Sequence, residues 1–120
     1  MPNETFSWLD FSSSQATLGL TVSEDLEEPL DPSAAKKLIL KVLSDGTYFL
    51  SSHGEEEMAK DKLIIGDIIN VLHGGVVEPA ELIKGSWRYR VRTAKIFAVV
   101  SFVSADSMCV VTAWRKKEKR

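Results

Sequence analysis

Cysteine and histidine are scarce in this sequence, with one and two residues among 120. A single cysteine cannot form an internal disulfide, which fits a reducing compartment. The apolar stretch MCVV around Cys109 predicts a small buried side chain. The two histidines, His53 and His73, have no cysteine pair beside them, so the ligand spacing of a zinc site is missing. We therefore expect no metal and no other cofactor.

Several motifs of catalysis and targeting are also absent. The stretch LHGGVV has two glycines but lacks the Lys and Ser/Thr of a phosphate-binding loop, and a helix C-cap is the simpler interpretation. No G-x-S-x-G sequence occurs, which excludes the nucleophile elbow of serine hydrolases. No apolar run has the length of a membrane span, and the opening MPNETFSWLDF does not resemble a signal peptide. We expect a cytoplasmic protein that does not contact a membrane.

Basic residues are missing from the first 31 positions, which have seven acidic side chains and a net charge of −7. By contrast, residues 84–120 have ten basic and two acidic side chains, a net charge of +8. We interpret residues 1–31 as an acidic N-terminal extension and residues 32–120 as a single α+β domain. The extension is either a solvated leader or an arm that covers the basic surface of the domain.

The pattern of the remaining chain predicts helices first and strands afterwards. Asp31 and Pro32 mark the start of a helix that Gly46 ends, and Ser52 and Glu55 have the spacing of a capping box at the start of a second helix. A third helix follows up to residue 74, and strands are predicted at 47–51, 76–82, 86–93, 95–103 and 108–115. Such an order is typical of helices packed on a four- to five-stranded, mainly antiparallel sheet.

The stretch SWRYRVRT places Arg88, Arg90 and Arg92 at alternate positions of one predicted strand, so they share one face. Three arginines cannot be buried unpaired, because desolvation would cost several kcal/mol each. One interpretation is a solvated face that pairs with Glu78 and Glu81 on the neighbouring strand. The other is a phosphate-binding face, since the planar guanidinium matches phosphate oxygens. The intervening Trp and Tyr side chains are expected in the core.

His53 lies at the start of the second predicted helix, where the helix dipole favours the neutral imidazole that a general base requires. The three glutamates that follow favour the cation, so the protonation state stays open, and a capping role is the alternative. Arg115 ends the last strand on the face opposite to Thr112 and Trp114. Metal-free RNA cleavage needs a base, an acid and cations that stabilise the phosphate, and this sequence contains such groups.

The segments FLSSHGEEEMAKDKLIIGDIINVLHGG, WRYRVRTAKIFAVVSF and CVVTAWR resemble a bacterial domain family of unknown function. That family is similar to the RelE-, MqsR- and BrnT-type toxins of the barnase–colicin–RelE group, and the resemblance covers about residues 47–115. It implies a RelE/barnase-like fold. It also makes His53 a candidate catalytic residue, Arg90 or Arg92 together with Arg115 candidate phosphate binders, and Lys60 or Lys62 the basic residue of the helix after the histidine. For a ribonuclease we accordingly expect His53, Arg90 and Arg115 to be catalytic, and Arg88, Arg92, Lys60, Lys62 and Thr112 to bind the substrate.

Two functions are therefore expected. The first is a metal-independent endoribonuclease, the toxin of a toxin–antitoxin pair, with RNA as substrate and a cognate antitoxin protein as partner. The second is a non-catalytic RNA- or protein-binding module of the same fold, which the glutamates next to His53 favour. The sequence does not determine the oligomeric state.

Overall fold

A computed structural model describes residues 26–117 of the chain, so most of the predicted acidic extension lies outside the described residues. The helices are α1 (Pro32–Asp45), α2 (Ser52–Lys60) and α3 (Ile65–Gly74). The strands are β1 (Thr47–Leu50), β2 (Val76–Val77), β3 (Glu81–Ile83), β4 (Ser86–Arg92), β5 (Ile96–Ser104) and β6 (Ser107–Arg115). The predicted α+β class is confirmed. Within residues 26–117, no helix combines the length and apolar character that crossing a membrane requires.

Local capping explains where the first two helices begin. The Asp31 carboxylate accepts a hydrogen bond from the Ala34 amide at 2.7 Å, as the sequence predicts for α1. For α2 the predicted capping residue was wrong by one position, because Ser51 rather than Ser52 precedes the helix. The Ser51 hydroxyl accepts from the Gly54 amide at 2.8 Å and donates to the Val111 carbonyl at 2.9 Å. The cap therefore also ties the helix start to β6.

The six strands form one mixed sheet, with β1, β6, β5, β4 and β2 in that order and β3 also paired with β4. Strands β1 and β6 are parallel, and the other pairs are antiparallel. The single strand predicted at 76–82 is divided into β2 and β3, which pair with opposite halves of β4. Pro79 lies between them and has no N–H to donate, so the pairing stops there.

All three described helices pack against the same face of the sheet. Their buried side chains form one cluster with the side chains that the strands direct to that face, including Tyr89 and Val91 of β4. Tyr89 is fully buried, and its ring lies 5.2 Å from the ring of Phe102. Trp87 packs against the same cluster. The predicted core positions of β4 are thus confirmed, and alternation leaves its arginines on the opposite face.

Candidate functional site

The sheet face opposite the helices holds a cross-strand array of basic and aromatic side chains. Arg90 pairs in register with Val99, and Val99 pairs with Thr112. In the next row, Arg92 pairs with Phe97, and Phe97 pairs with Trp114. We call this surface the arginine face and define it by Arg88, Arg90, Arg92, Phe97, Val99, Thr112 and Trp114.

One carboxylate holds two of the three arginines. Oε1 of Glu78 accepts from Nε of Arg90 at 2.9 Å, and Oε2 accepts from Nε of Arg92 at 2.7 Å. The two arginine side chains are 41% and 47% exposed, so their terminal nitrogens can still meet a ligand from solvent. The predicted pairing of the arginine row with the neighbouring strand therefore holds for Glu78.

Arg88 has a different environment. Its Nε atom is buried and has no hydrogen-bond partner within the described part of the chain, whereas the residue as a whole is only partly buried. Glu81 is its partner in register, yet none of the ion pairs in residues 26–117 includes Arg88 or Glu81. A partly desolvated cation without a counterion attracts an anion or a hydrogen-bond acceptor strongly, because part of its desolvation cost is already present before binding.

Two aromatic rings form a stacked pair on the same face. The rings of Phe97 and Trp114 are nearly parallel, 7° apart, with their centroids 5.1 Å from each other. The guanidinium carbon of Arg90 lies 5.9 Å from the centroid of Phe97, within the range of a cation–π contact. The stack therefore fixes an apolar surface directly beside the charged row.

A hollow of about 220 Å³ opens between these groups. Among the residues that the structure describes, it is lined by Glu78, Pro79, Glu81, Ile83, Arg88, Arg90, Val99, Thr112 and Trp114. Cations, carboxylates, a hydroxyl and an indole thus meet in one concave site. In residues 26–117 there is no group of three or more His, Cys, Asp or Glu side chains that could hold a metal ion.

The hollow brings together only some of the predicted site residues. Arg88, Arg90 and Thr112 line it, while Arg92 lies beside it and is held by Glu78. His53 is exposed at the start of α2 and is not among the lining residues. The predicted roles of these side chains stay predictions, and this hollow brings Arg88 and Arg90 together without His53.

Arg115 has a structural contact that accounts for its position. Its Nε donates to the Asp61 carbonyl at 2.8 Å, and Nη2 donates to the Lys62 carbonyl at 3.3 Å. Its backbone amide donates to the Asp61 carboxylate at 2.7 Å. Arg115 therefore ties the end of β6 to the connection between α2 and α3, away from the hollow. Of the two predicted lysines, Lys60 pairs with Glu57 at 3.2 Å, and Lys62 is exposed in that connection.

Sequence reasoning missed Phe97 and Val99 as members of the site. Both belong to the stretch KIFAVVSFV, which is apolar on both faces, so its pattern does not indicate which residues face the helices. The register with β4 supplies this information, because Arg92 and Arg90 lie opposite these two residues. A strand alignment based on the alternation of β4 would have identified them.

Comparisons with known proteins gave no relative: no family model matches the chain, and neither a curated protein nor a solved structure matches it. The resemblance to RelE-type toxins therefore remains an expectation from the sequence.

Proposed function

We propose that this protein binds single-stranded RNA on its arginine face. The observation that supports the proposal most directly is the partly desolvated guanidinium of Arg88, which has no ion-pair partner among residues 26–117 and lies in a hollow that Trp114 also lines. Single-stranded RNA offers phosphates to arginines and unstacked bases to aromatic side chains, so both groups acquire a partner. A β-sheet face with aromatic and basic side chains is a recurrent platform for this kind of ligand.

The charges of the face favour moderate affinity with a strong dependence on salt. Three arginines lie close to two glutamates, and Glu78 already neutralises part of the row. Binding therefore depends on displacing or sharing the Glu78 contacts and on stacking against Trp114. Base–aromatic stacking contributes about 1–3 kcal/mol per base.

The proposal is for binding without cleavage, because neither His53 nor Arg115 lines the hollow. Ribonuclease activity, with an antitoxin protein as partner, is the alternative that the same experiment separates. We propose a cytoplasmic location, where such RNA is present and the single cysteine stays reduced.

The experiment measures binding of the full chain to a fluorescently labelled 12-nucleotide RNA by anisotropy, at two salt concentrations and with a chelator present. Arg88→Gln should weaken binding roughly tenfold, which corresponds to about 1.4 kcal/mol. The control is Lys37→Gln, which changes an exposed side chain of α1, and it should bind like the wild type. Circular dichroism checks that both variants are folded.

Two results would contradict the proposal. One is a wild-type protein that does not bind the RNA at low salt, and the other is an Arg88→Gln variant that binds as well as Lys37→Gln. Gel analysis of the same mixtures tests cleavage: RNA that is cut by the wild type but not by His53→Ala would replace the binding proposal by the ribonuclease alternative.

A further inference from the structure

Arg88 and Glu81 present a cation and a carboxylate side by side, with no ion pair between them. A two-residue turn joins β3 to β4, and both of its residues, Lys84 and Gly85, have positive φ angles of 51° and 79°. This is the turn that suits the twist of a tight hairpin, and it fixes the register that places Glu81 opposite Arg88. Side chains in such a cross-strand pair start about 5 Å apart at their Cβ atoms. Both side chains line the hollow.

A planar ligand that binds both Arg88 and Glu81 needs hydrogen-bond acceptors on one edge and hydrogen-bond donors on the adjacent edge. Guanine has this arrangement: O6 and N7 accept from a bidentate arginine, and the neighbouring N1–H and N2–H₂ groups donate to a carboxylate. Adenine has an amino group in place of O6, so it would direct a donor toward the arginine. Cytosine and uracil have no N7 and fill less of the hollow.

The size and walls of the hollow also suit a bicyclic base. Its volume of about 220 Å³ exceeds the roughly 150 Å³ of an apolar protein cavity that accepts a benzene molecule. Val99 and Trp114 supply apolar surface for the faces of the ring, and Arg90 also lines the hollow, where it can contact the adjoining phosphate. An unstacked base can therefore enter while its backbone stays at the rim.

We infer that the hollow selects guanine, with Arg88 reading O6 and N7 and Glu81 reading N1–H and N2–H₂. This inference rests on the proposed RNA binding and names the base that the site prefers. Arg88 and Glu81 form no ion pair with each other. A guanine base can therefore accept from the terminal nitrogens of Arg88 and donate to the Glu81 carboxylate at the same time.

The test uses nine-nucleotide RNAs of uridine in which the central base is G, A, C or U, together with central inosine and 7-deazaguanine. Inosine lacks the N2 amino group, and 7-deazaguanine lacks N7, so each removes one predicted contact. The strand with central G should bind the wild type about tenfold more tightly than the strands with A, C or U. Inosine and 7-deazaguanine should each lose several-fold relative to G.

Substitutions at Glu81 and Arg88 test which side chain makes each predicted contact with the base. Glu81→Gln should bind guanine and inosine equally, and Arg88→Gln should bind guanine and 7-deazaguanine equally. Glu56→Gln, a change in an exposed glutamate of α2, is the matched control and should keep the wild-type preference.

The outcomes separate this inference from the proposed function. Equal binding of all the strands would overturn guanine selection and leave RNA binding intact. A preference for G that Glu81→Gln and Arg88→Gln both retain would place recognition elsewhere and would also overturn it. No binding of any strand would overturn both proposals.

Discussion

The Nε atom of Arg90 lies 2.9 Å from Oε1 of Glu78, a residue in the break between β2 and β3. The break leaves the backbone in register, since the Glu78 amide still donates to the Arg90 carbonyl at 2.8 Å. The same carboxylate holds Arg92 through its second oxygen. The arginine row is thus divided into two cations that Glu78 holds and one, Arg88, that has no ion pair with any residue of the described range. This division leads to the first prediction.

Replacing Glu78 with Gln should strengthen RNA binding. The change removes a negative charge from the arginine face and releases Arg90 and Arg92 for phosphate contacts. We expect roughly tenfold tighter binding, and a plot of log affinity against log salt that is steeper by about 0.7 for each new phosphate contact. Exposed ion pairs contribute only about 0–1 kcal/mol to folding, so the variant should stay folded.

The control for this prediction is Glu57→Gln, which also removes a glutamate from an ion pair, in this case with Lys60 on α2. It should leave the affinity and the salt dependence unchanged. Equal effects of the two substitutions would mean that only the total charge of the protein matters and that the arginine face has no special role.

A second prediction concerns Lys36, whose ammonium group donates to the carbonyls of Leu72, His73 and Gly75 at 3.0, 2.7 and 2.7 Å. These carbonyls lie at the end of α3, where helical hydrogen bonds run out, so Lys36 joins α1 to α3. Lys36→Met should lower the free energy of unfolding by about 1–3 kcal/mol, because a charged donor is lost.

Urea denaturation measures this loss, and the adjacent exposed Lys37 provides the comparison. Lys37→Met should change the stability by no more than about 0.5 kcal/mol, as is usual for surface positions. If the two variants unfolded at the same urea concentration, the three hydrogen bonds of Lys36 would make no net contribution to the free energy of unfolding.

The third prediction is a pH dependence that originates at Glu28. The Tyr89 hydroxyl donates to the Glu28 carboxylate at 2.9 Å and accepts from the Leu30 amide at 3.0 Å. Burial raises the pKa of Glu28 above its ordinary value of 4.5, and the Tyr89 hydrogen bond only partly opposes this. A carboxyl group with a raised pKa contributes stability that is complete below pH 4.5 and is lost as the pH rises through the folded-state pKa.

Glu28→Gln should therefore be at least as stable as the wild type at pH 7, since the amide oxygen still accepts from Tyr89 and no buried charge remains. The difference between the two proteins should shrink as the pH approaches 4.5. Urea midpoints across this range measure the effect, and Glu27→Gln, at an exposed neighbour, should follow the wild type. A Glu28→Gln variant that is less stable than the wild type by a constant amount at every pH would contradict the assignment.

The fourth prediction compares two helical glycines. A Cβ atom on Gly54 would lie 2.9 Å from the Val110 carbonyl oxygen and 3.1 Å from that of Val111, so α2 would have to move away from β6. On Gly66 the nearest atom would be Cδ1 of Ile64 at 3.8 Å, which is an ordinary contact. Gly54→Ala should cost about 1–3 kcal/mol of stability. Gly66→Ala should be neutral or stabilising by up to about 1 kcal/mol, because alanine favours helix.

Thermal unfolding of both variants tests this prediction. Equal melting temperatures would show that α2 is not held closely against β6. The Ser51 hydroxyl contact with Val111 would then be too weak to fix the start of the helix.

Features that depend on neighbouring residues, such as helix capping and the alternation of side chains along a strand, could be predicted from the sequence. Asp31 and Pro32 start α1 because a carboxylate can cap free amides and proline suits the first turn. The alternation of β4 placed its arginines on one face and Tyr89 in the core, because successive side chains of a strand point to opposite sides. The division of the strand at Pro79 was missed, although proline is itself a local signal against a continuous strand.

Contacts between residues that are far apart in the sequence could not be predicted from it. The parallel pairing of β1 with β6 and the contacts of Arg115 join residues more than 50 positions apart. Which arginine is neutralised was equally hidden, because the sequence offered Glu78 and Glu81 as equivalent partners.

The amino-acid sequence by itself determined the α+β class, the helix starts at residues 31–32 and the common face of Arg88, Arg90 and Arg92, since these depend on capping and on the two-residue period of a strand. The tertiary structure alone decided that Glu78 holds two of these arginines, that Phe97 and Trp114 stack beside them, and that His53 and Arg115 lie outside the hollow. Those outcomes depend on strand register and on the path of the chain between β2 and β3, which no local pattern specifies.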